Sequence, residues 1–279
     1  MSSLTILEPG PLATIQDRGR AGQAALGVPA SGACDRAAYE LANRLVGNRP
    51  GAAALEVTFG GLGMHADVDL VVAITGAPCT GVPLNAPATL RAGQLLRLGT
   101  PPTGLRTYVA VRGGIDVPPV LGSRSTDLLS GLGPAPLTAD QTLPVGRSFE
   151  PMPGVDLAPV AHPAGGEVVL RVTPGPRRDW FTDDGWSSLV SQTYHVSSNS
   201  NRVGVRLDGS ALERARAGEL ASEGMARGAI QIPPSGTPVI FLADHPVTGG
   251  YPVIAYVAAA DLDTTAQLRP GQPVHLISS

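Results

Sequence analysis

The sequence predicts a mainly β (α+β) fold of two β-rich halves with a few short helices, and three observations predict it. The 35 Gly and 27 Pro make up about a fifth of the 279 residues, and both types interrupt helices while supplying turns. Apolar residues come in short runs bounded by Gly and Pro, not in long stripes of helical period. The halves also rhyme. Thr107-Tyr-Val-Ala-Val-Arg-Gly-Gly-Ile-Asp116 is echoed by Ile254-Ala-Tyr-Val-Ala-Ala-Ala-Asp261, and Leu137-Thr-Ala-Asp-Gln-Thr-Leu143 by Leu268-Arg-Pro-Gly-Gln-Pro-Val274. Each half opens with a strand and a Pro-Gly-Pro turn, Glu8-Pro-Gly-Pro11 and Thr173-Pro-Gly-Pro176. The matches are short, and shared turn chemistry is the alternative to relatedness.

The elements follow in order. From Asp35 to Val46, the residues Ala38, Leu41, Ala42 and Leu45 recur at helical spacing, with Asp35 as N-cap, Glu40 and Arg44 as an i,i+4 pair and Gly47 as the stop. Asp69-Leu-Val-Val-Ala-Ile-Thr75 and Thr107–Arg112 read as buried strands, and Ala88–Leu98 as two strands joined by a turn at Ala92-Gly93. Residues 151–166, with four Pro and three Gly, read as a linker. It separates an N-terminal domain over 1–150 from a C-terminal one over 167–279. Glu167–Thr173 is strand-like, Asp183–Ser191 a short helix with Trp186, Leu189 and Val190 on one face, and Val203–Ile277 returns to short strands.

All twenty basic residues are Arg, which removes Schiff-base, general-base and phosphate-loop lysines, and any lysine to carry biotin or lipoate. A net charge of −3 with no basic run argues against nucleic acid. No leader pattern opens the chain, and the longest apolar run, Val253–Ala260, is too short for a bilayer. Cys34 and Cys79 read as buried thiols. The expectation is a soluble cytoplasmic protein that binds neither nucleic acid nor membrane.

Several motifs fail on context. Gly61-Leu-Gly-Met-His-Ala66 approximates a dinucleotide fingerprint but precedes a strand, so no helix N-terminus stands ready for a pyrophosphate. No Gly-x-Ser-x-Gly elbow occurs, the five histidines lack zinc-type pairing, and His65, Asp67 and Asp69 read as a solvated strand edge, so no metal site is expected.

Four motifs survive. Leu121-Gly-Ser-Arg-Ser-Thr-Asp127 clusters Ser123, Ser125 and Thr126 around Arg124. It reads either as an anion-binding nest beside an Arg fork or as a hydroxyl turn with Asp127 as cap. Ser200-Asn-Arg-Val-Gly-Val-Arg-Leu207 places Arg202 and Arg206 on one side of a strand beside Asn201, with Gly204 admitting another backbone; a surface Arg pair is the plain reading. Ala243-Asp-His-Pro-Val-Thr-Gly-Gly-Tyr-Pro252 sets Asp244 beside His245 as an acid–base pair. Thr248, Gly249, Gly250 and Tyr251 follow, with backbone N–H groups able to meet an oxyanion; a structural loop is the alternative. Ser222–Gly236 adds Glu223 and Arg227 between glycines.

In this order the motifs resemble the biotin-dependent carboxyltransferase domain family, in the branch that holds the 5-oxoprolinase C component, allophanate hydrolase subunit 2 and the kinase-inhibitor antagonist. The resemblance also rests on Gly10-Pro-Leu-Ala-Thr-Ile-Gln-Asp-Arg-Gly-Arg20, Gly27–Arg36, Leu41–Asn48, Ala54–Thr58, Val111–Pro118, Gly122–Thr126, Ser222-Glu-Gly224 and Thr248–Pro252. It implies two cyclophilin-like β-barrel domains and ATP-dependent opening of 5-oxoproline to glutamate. It also implies two partners, a homologous B component and a third, A component, each a separate subunit. On that reading ATP is bound by this chain or by a partner, no biotin is attached to this chain, and the substrate is a small carboxylated amide. Arg124, Arg202 and backbone N–H groups would cradle phosphate and carboxylate. Many relatives carry Arg-Gln-Thr where this chain has His245-Pro-Val247, and Lys where it has Val253, which argues against an independent carboxyltransferase. The alternatives are a regulatory module that binds the B component, or urea- or allophanate-type chemistry.

Overall fold

The computed structural model describes every residue except 1, 149, 217 and 219. The chain divides into two compact units. The first holds the chain up to Arg20, Ser31–Asp127 and Gly131–Pro163; the second holds Ala21–Ala30, Leu128–Ser130 and Ala164–Ser279.

The first unit contains β1 (Ser3–Pro9), β2 (Leu12–Gln16), α1 (Arg36–Leu45), β3 (Ala54–Thr58), β4 (Leu62–Ala66), β5 (Leu70–Gly76), β6 (Pro87–Leu90), β7 (Leu95–Arg97), β8 (Arg106–Val111) and β9 (Thr142–Pro144). They form two antiparallel sheets, β7-β4-β1-β9 and β2-β3-β8-β5-β6. Side chains alternate across a strand, and the sequence uses both faces. Leu55, Val57, Val72, Ile74, Val109 and Val111 join a core with Leu4, Ile6, Leu62 and Met64 of the other sheet. The alternate positions Ala54, Ala73, Tyr108 and Ala110 face α1 through Ala38, Tyr39, Ala42 and Leu45; three of those four sheet positions are Ala, which lets the helix sit close.

α1 starts where Asp35 accepts the Ala38 N–H at 2.9 Å and stops at Gly47, whose φ of 64° is left-handed. The expected Glu40–Arg44 pairing gives way to a bond from Arg18 to Glu40 at 2.9 Å, since a partner from another segment reaches the exposed carboxylate. The Ala88–Leu98 segment is two strands joined by a turn, as expected, but the two do not pair with each other. β6 pairs with β5 and β7 with β4, and Gly93, at φ 73°, turns the chain from one sheet to the other. The stretch read as a linker over 151–166 lies along the first unit as far as Pro163. Arg112 contacts Met152, and Ala158 N–H donates to the Asn85 carbonyl at 2.8 Å.

The second unit contains β10 (Val168–Pro174), α2 (Asp183–Ser191), β11 (Thr193–Val196), β12 (Gly204–Asp208), β13 (Glu223–Gly224), β14 (Ala229–Gln231), β15 (Val239–Phe241), β16 (Thr248–Gly249), β17 (Val253–Val257), α3 (Leu262–Thr265) and β18 (Pro273–Ser278). Seven of the strands close a barrel in the order β10-β17-β14-β15-β12-β11-β18, sealed by the parallel pair β10–β18. Closure removes free sheet edges. In β10, Val168, Leu170 and Val172 are buried while Val169 and Arg171 are exposed, the alternation a barrel wall requires. α2 is capped by Thr182, which accepts the Gly185 N–H at 2.9 Å.

The rhyming halves share a turn device. Gln141 Oε1 accepts the Thr138 N–H at 3.1 Å and Gln272 Oε1 accepts the Arg269 N–H at 3.1 Å. Gln94 does the same to Arg91 at 3.0 Å. Each bond closes a turn just before a strand, so this part of the rhyme is turn chemistry.

Arg171 grips Asp261 with Nε and Nη2 at 2.9 and 2.6 Å, and that bonding holds the Asp261 carboxyl below the usual carboxylate range against the opposing effect of its burial. A depressed pKa contributes stability that is full above the ordinary Asp range and lost as pH falls through the folded value. Asp261→Asn therefore lowers Tm at neutral pH, and the gap to wild type closes on acidification below about pH 4. Thermal melts across pH check this.

Candidate functional site

The loop after β15 is built on a buried ion pair. Asn201 Oδ1 accepts the N–H groups of Val203 and Gly204 at 2.8 and 3.3 Å, and this turn sends Arg202 inward. Arg202 Nε meets Asp244 Oδ2 at 2.9 Å and Nη2 meets Oδ1 at 2.9 Å, with both side chains at 1% exposure or less. The backbones are tied as well: Asp244 N–H donates to the Arg202 carbonyl at 3.0 Å and Leu242 N–H to the Val203 carbonyl at 2.9 Å. Asp244 Oδ2 also accepts the Leu128 N–H at 3.1 Å, which anchors the Leu128–Ser130 segment of the same unit.

Past this anchor the chain turns at Ala243-Asp244, bends at Val247 and runs into β16, which pairs with β13: Glu223 opposes Gly249 and Gly224 opposes Thr248. Arg177 holds the Glu223 carboxylate through two nitrogens. A Cβ on Gly249 would lie 2.7 Å from Gln231 Nε2, and that same nitrogen donates to the Tyr251 carbonyl at 3.0 Å, so Gly249 is required for close approach. Tyr251 is exposed. Between this loop and the two N-terminal segments of the second unit lies an open cavity of about 500 Å³, lined by Ala24, Ala25, Gly27, Pro29, Leu129, Ser130, Pro246, Val247 and Thr248. Its walls are small and apolar with two hydroxyls, a lining able to hold a compact ring and orient it by a few polar contacts.

The predicted residues sort out unevenly. Thr248 lines the cavity. Arg202 and Asp244 form its buried brace, where a guanidinium and a carboxylate already joined through two bonds have no open face for proton transfer. His245 Nδ1 lies 2.8 Å from the Pro246 carbonyl oxygen, and its ring packs 6.2 Å from that of Phe241. Arg202 and Arg206 do not share a face, since β12 begins only at Gly204 and Arg206 is exposed. Gly204 does admit a neighbour: a Cβ there would lie 3.0 Å from the Ile240 carbonyl oxygen.

The Ser123–Thr126 nest exists in the first unit, and its anion is internal. Asp17 Oδ1 accepts Ser123 Oγ and Ser125 Oγ at 2.6 Å each and the Gly19 N–H at 2.7 Å, while Oδ2 accepts the Arg124 N–H at 2.6 Å. Arg124 turns its side chain to Val117 O and Asp116, and the Thr126 carbonyl accepts from Gln16 and Ser31. Sequence reasoning missed Asp17, Arg177 and Leu128 as partners and Ala24–Pro29, Leu129 and Ser130 as cavity lining. Only Asp17 carried a signal, as a charge ending an apolar strand within Gln16-Asp17-Arg18-Gly19-Arg20. Among the described residues, no cluster of three His, Cys, Asp or Glu is placed to hold a metal ion, and no helix is long and apolar enough to cross a membrane.

Removing one member of a buried pair strands the other charge, so Arg202→Ala is expected to cost about 3–5 kcal/mol of stability, whereas the apolar pair Arg202→Met with Asp244→Leu recovers most of it. Arg124→Ala, at a half-exposed surface pair, costs about 1 kcal/mol or less, while Asp17→Ala costs more because four donors lose their acceptor. Urea unfolding ranks all four.

Residues 26–278 match the family described as carboxyltransferase domain, subdomain A and B. The chain is 39% identical to the C component of 5-oxoprolinase from Escherichia coli (strain K12) over 98% of its own length and 90% of that protein. Among solved structures, that of TTHA0988 superposes with a TM-score of 0.90 at 36% identity, covering 100% of this chain and 56% of that one, so the chain spans about half of that solved protein. The Kluyveromyces lactis urea amidolyase superposes with a TM-score of 0.89 at 31% identity, covering 99% of this chain but 18% of that one. The two-sheet unit followed by a seven-stranded barrel, and the motifs along both, thus have a shared origin: the chain belongs to the carboxyltransferase-domain family, subdomains A and B.

Proposed function

We propose that this chain is the C component of an ATP-dependent 5-oxoprolinase, acting with two further subunits, a homologous B component and a third, A component. The observation that carries this reading is the 39% identity to a 5-oxoprolinase C component across nearly the full length of both chains. The urea amidolyase of Lachancea kluyveri, at 34% identity, is matched over only 17% of its length, so the unit of resemblance there is one part of a larger enzyme.

The reaction opens a lactam. The ring C–N bond breaks, the carbonyl carbon gains a hydroxyl from water and the nitrogen gains a proton. An amide carbon is a poor electrophile, and phosphorylating its oxygen supplies a leaving group. This chain's cavity does not fit the triphosphate: its nine lining residues carry no charge, and the Ser123–Thr126 nest is filled by Asp17. ATP is therefore assigned to a partner. The part assigned to this chain is to pack the ring methylenes against Ala24, Ala25, Leu129 and Val247, to exclude bulk water, and to orient the amide through the hydroxyls of Ser130 and Thr248. The Arg202–Asp244 pair then acts as a positioning element under the cavity wall.

A second reading, a regulatory module that binds the B component without contributing to chemistry, draws on one observation: Arg202, Asp244, Glu223 and the nest are all taken up by internal partners. Reconstitution separates the two. The purified chain alone releases no glutamate. The mixture of all three components converts 5-oxoproline and ATP to glutamate, ADP and phosphate, and omitting this chain abolishes turnover. Thr248→Val, at an exposed position, is expected to leave Tm unchanged and lower kcat/KM about tenfold, the worth of one lost hydrogen bond. An unchanged rate without this chain defeats the enzyme reading, and an unchanged kcat/KM in Thr248→Val removes the cavity from it.

A further inference from the structure

A smaller recess, of about 170 Å³, lies within the first unit, lined by Asn48, Arg49, Ala52, Gly113, Arg147, Ser148 and Glu150. Its floor is rigid because its hydrogen bonds are spoken for. Asn48 Nδ2 donates to Asn43 Oδ1 and the Val111 carbonyl at 2.8 Å each, and Asn48 Oδ1 accepts the Gly113 N–H at 2.7 Å. The Ala52 carbonyl accepts from Tyr39 at 2.7 Å and Asn43 at 3.1 Å. Gly113 sits at φ 100°, and a Cβ there would run into the Gly146 carbonyl, so two backbone segments meet behind the recess with no side chain between them.

The charges at this recess do not balance. Arg49 and Arg147 both line it, brought together from distant parts of the unit's sequence. Arg112 stands beside them, bound to the Val46 and Glu150 carbonyls through its guanidinium. One carboxylate answers these three cations: Glu150, which takes Arg49 Nε at 2.9 Å. Arg147 has no carboxylate partner among the described residues. Two like charges gathered at one small concavity repel unless an anion lies between them, and guanidinium groups present paired donors matched to the oxygens of carboxylate or phosphate. Ser148 adds a hydroxyl at the same rim.

We propose that this recess is a binding site for a compact oxyanion, a phosphate or a carboxylate group, held between Arg147 and Arg49 over the Asn48–Gly113 floor. It is separate from the cavity of the second unit and independent of the 5-oxoprolinase reading. The volume suits an anion of a few heavy atoms.

The test is a titration of the full chain at low ionic strength with inorganic phosphate in one arm and succinate in the other, followed by backbone amide NMR. Saturable shifts confined to Gly113, Ser148 and their neighbours are expected in at least one arm, and the arm that saturates identifies the anion class. Arg147→Ala is expected to weaken that binding about tenfold or more, while Arg216→Ala, a paired surface arginine of the second unit, leaves it unchanged. Arg147 is exposed, and an unaltered circular dichroism spectrum confirms that the variant folds. Absence of saturation in both arms, or equal binding by wild type and Arg147→Ala, overturns the proposal.

Discussion

A guanidinium and a carboxylate joined through two parallel hydrogen bonds, with almost no solvent contact, fix the cavity end of the second unit. Desolvating two charges is expensive, and in a protein interior it is offset only when geometry and surrounding bonds are near ideal. Arg202 and Asp244 meet that condition because their backbones are also bonded to each other. The pair cannot shift without breaking both ladders. Everything downstream inherits that rigidity: the bend at Val247, the short β13–β16 ladder and the Leu128–Ser130 wall held by the Leu128 bond to Asp244. The brace thus sets the width of the cavity and takes no part in its surface.

The first unit solves an equivalent problem with the same chemistry. Ser123, Arg124 and Ser125 present donors as an anion nest does, and Asp17 supplies the anion. A nest that receives an internal carboxylate and one that receives a ligand have the same local sequence, because the donors are the same hydroxyls and amides. What distinguishes them is a partner more than a hundred residues away along the chain, which no local pattern reports. Glu223 likewise meets Arg177 from another part of the chain. Arg202, Asp244, Glu223 and the Ser123–Ser125 nest, singled out by sequence reasoning as candidates for catalysis or ligand binding, are in the fold held by internal partners.

That contrast explains which features the sequence made legible. α1 and its cap were readable because the N-cap bond, the apolar stripe and the Gly47 stop all act within about one turn of the residues that encode them. The buried strands over Leu70–Gly76 and Arg106–Val111 were readable from apolar runs with turn signals at their ends. The β6–β7 segment was readable as two strands and a turn, but its pairing was not, because a turn with flanking strands looks the same whether it folds back as a hairpin or passes between sheets; the partner strands β4 and β5 decide, and they lie elsewhere. The cavity was illegible for a further reason. Its lining is Ala, Gly, Pro, Leu and Val with two hydroxyls, and such residues carry no chemical signature until tertiary structure curves them around a space.

Val253 shows what a lysine would meet in the wall of the second unit's barrel. Val253 is buried in β17 against Ala229, Val239 and Phe241, and its carbonyl accepts the Arg177 N–H at 3.1 Å. A Cβ on Gly175 would stand 2.6 Å from that carbonyl oxygen, so the backbone there has no slack. A lysine introduced at this position would have to bury its ammonium among apolar side chains or displace the strand, and burial drives such a group toward its neutral form. The surroundings are shaped for a β-branched apolar residue. The position is barrel wall, and since all twenty basic residues are Arg, any positive side-chain charge this chain places near β17 comes from an arginine or a histidine.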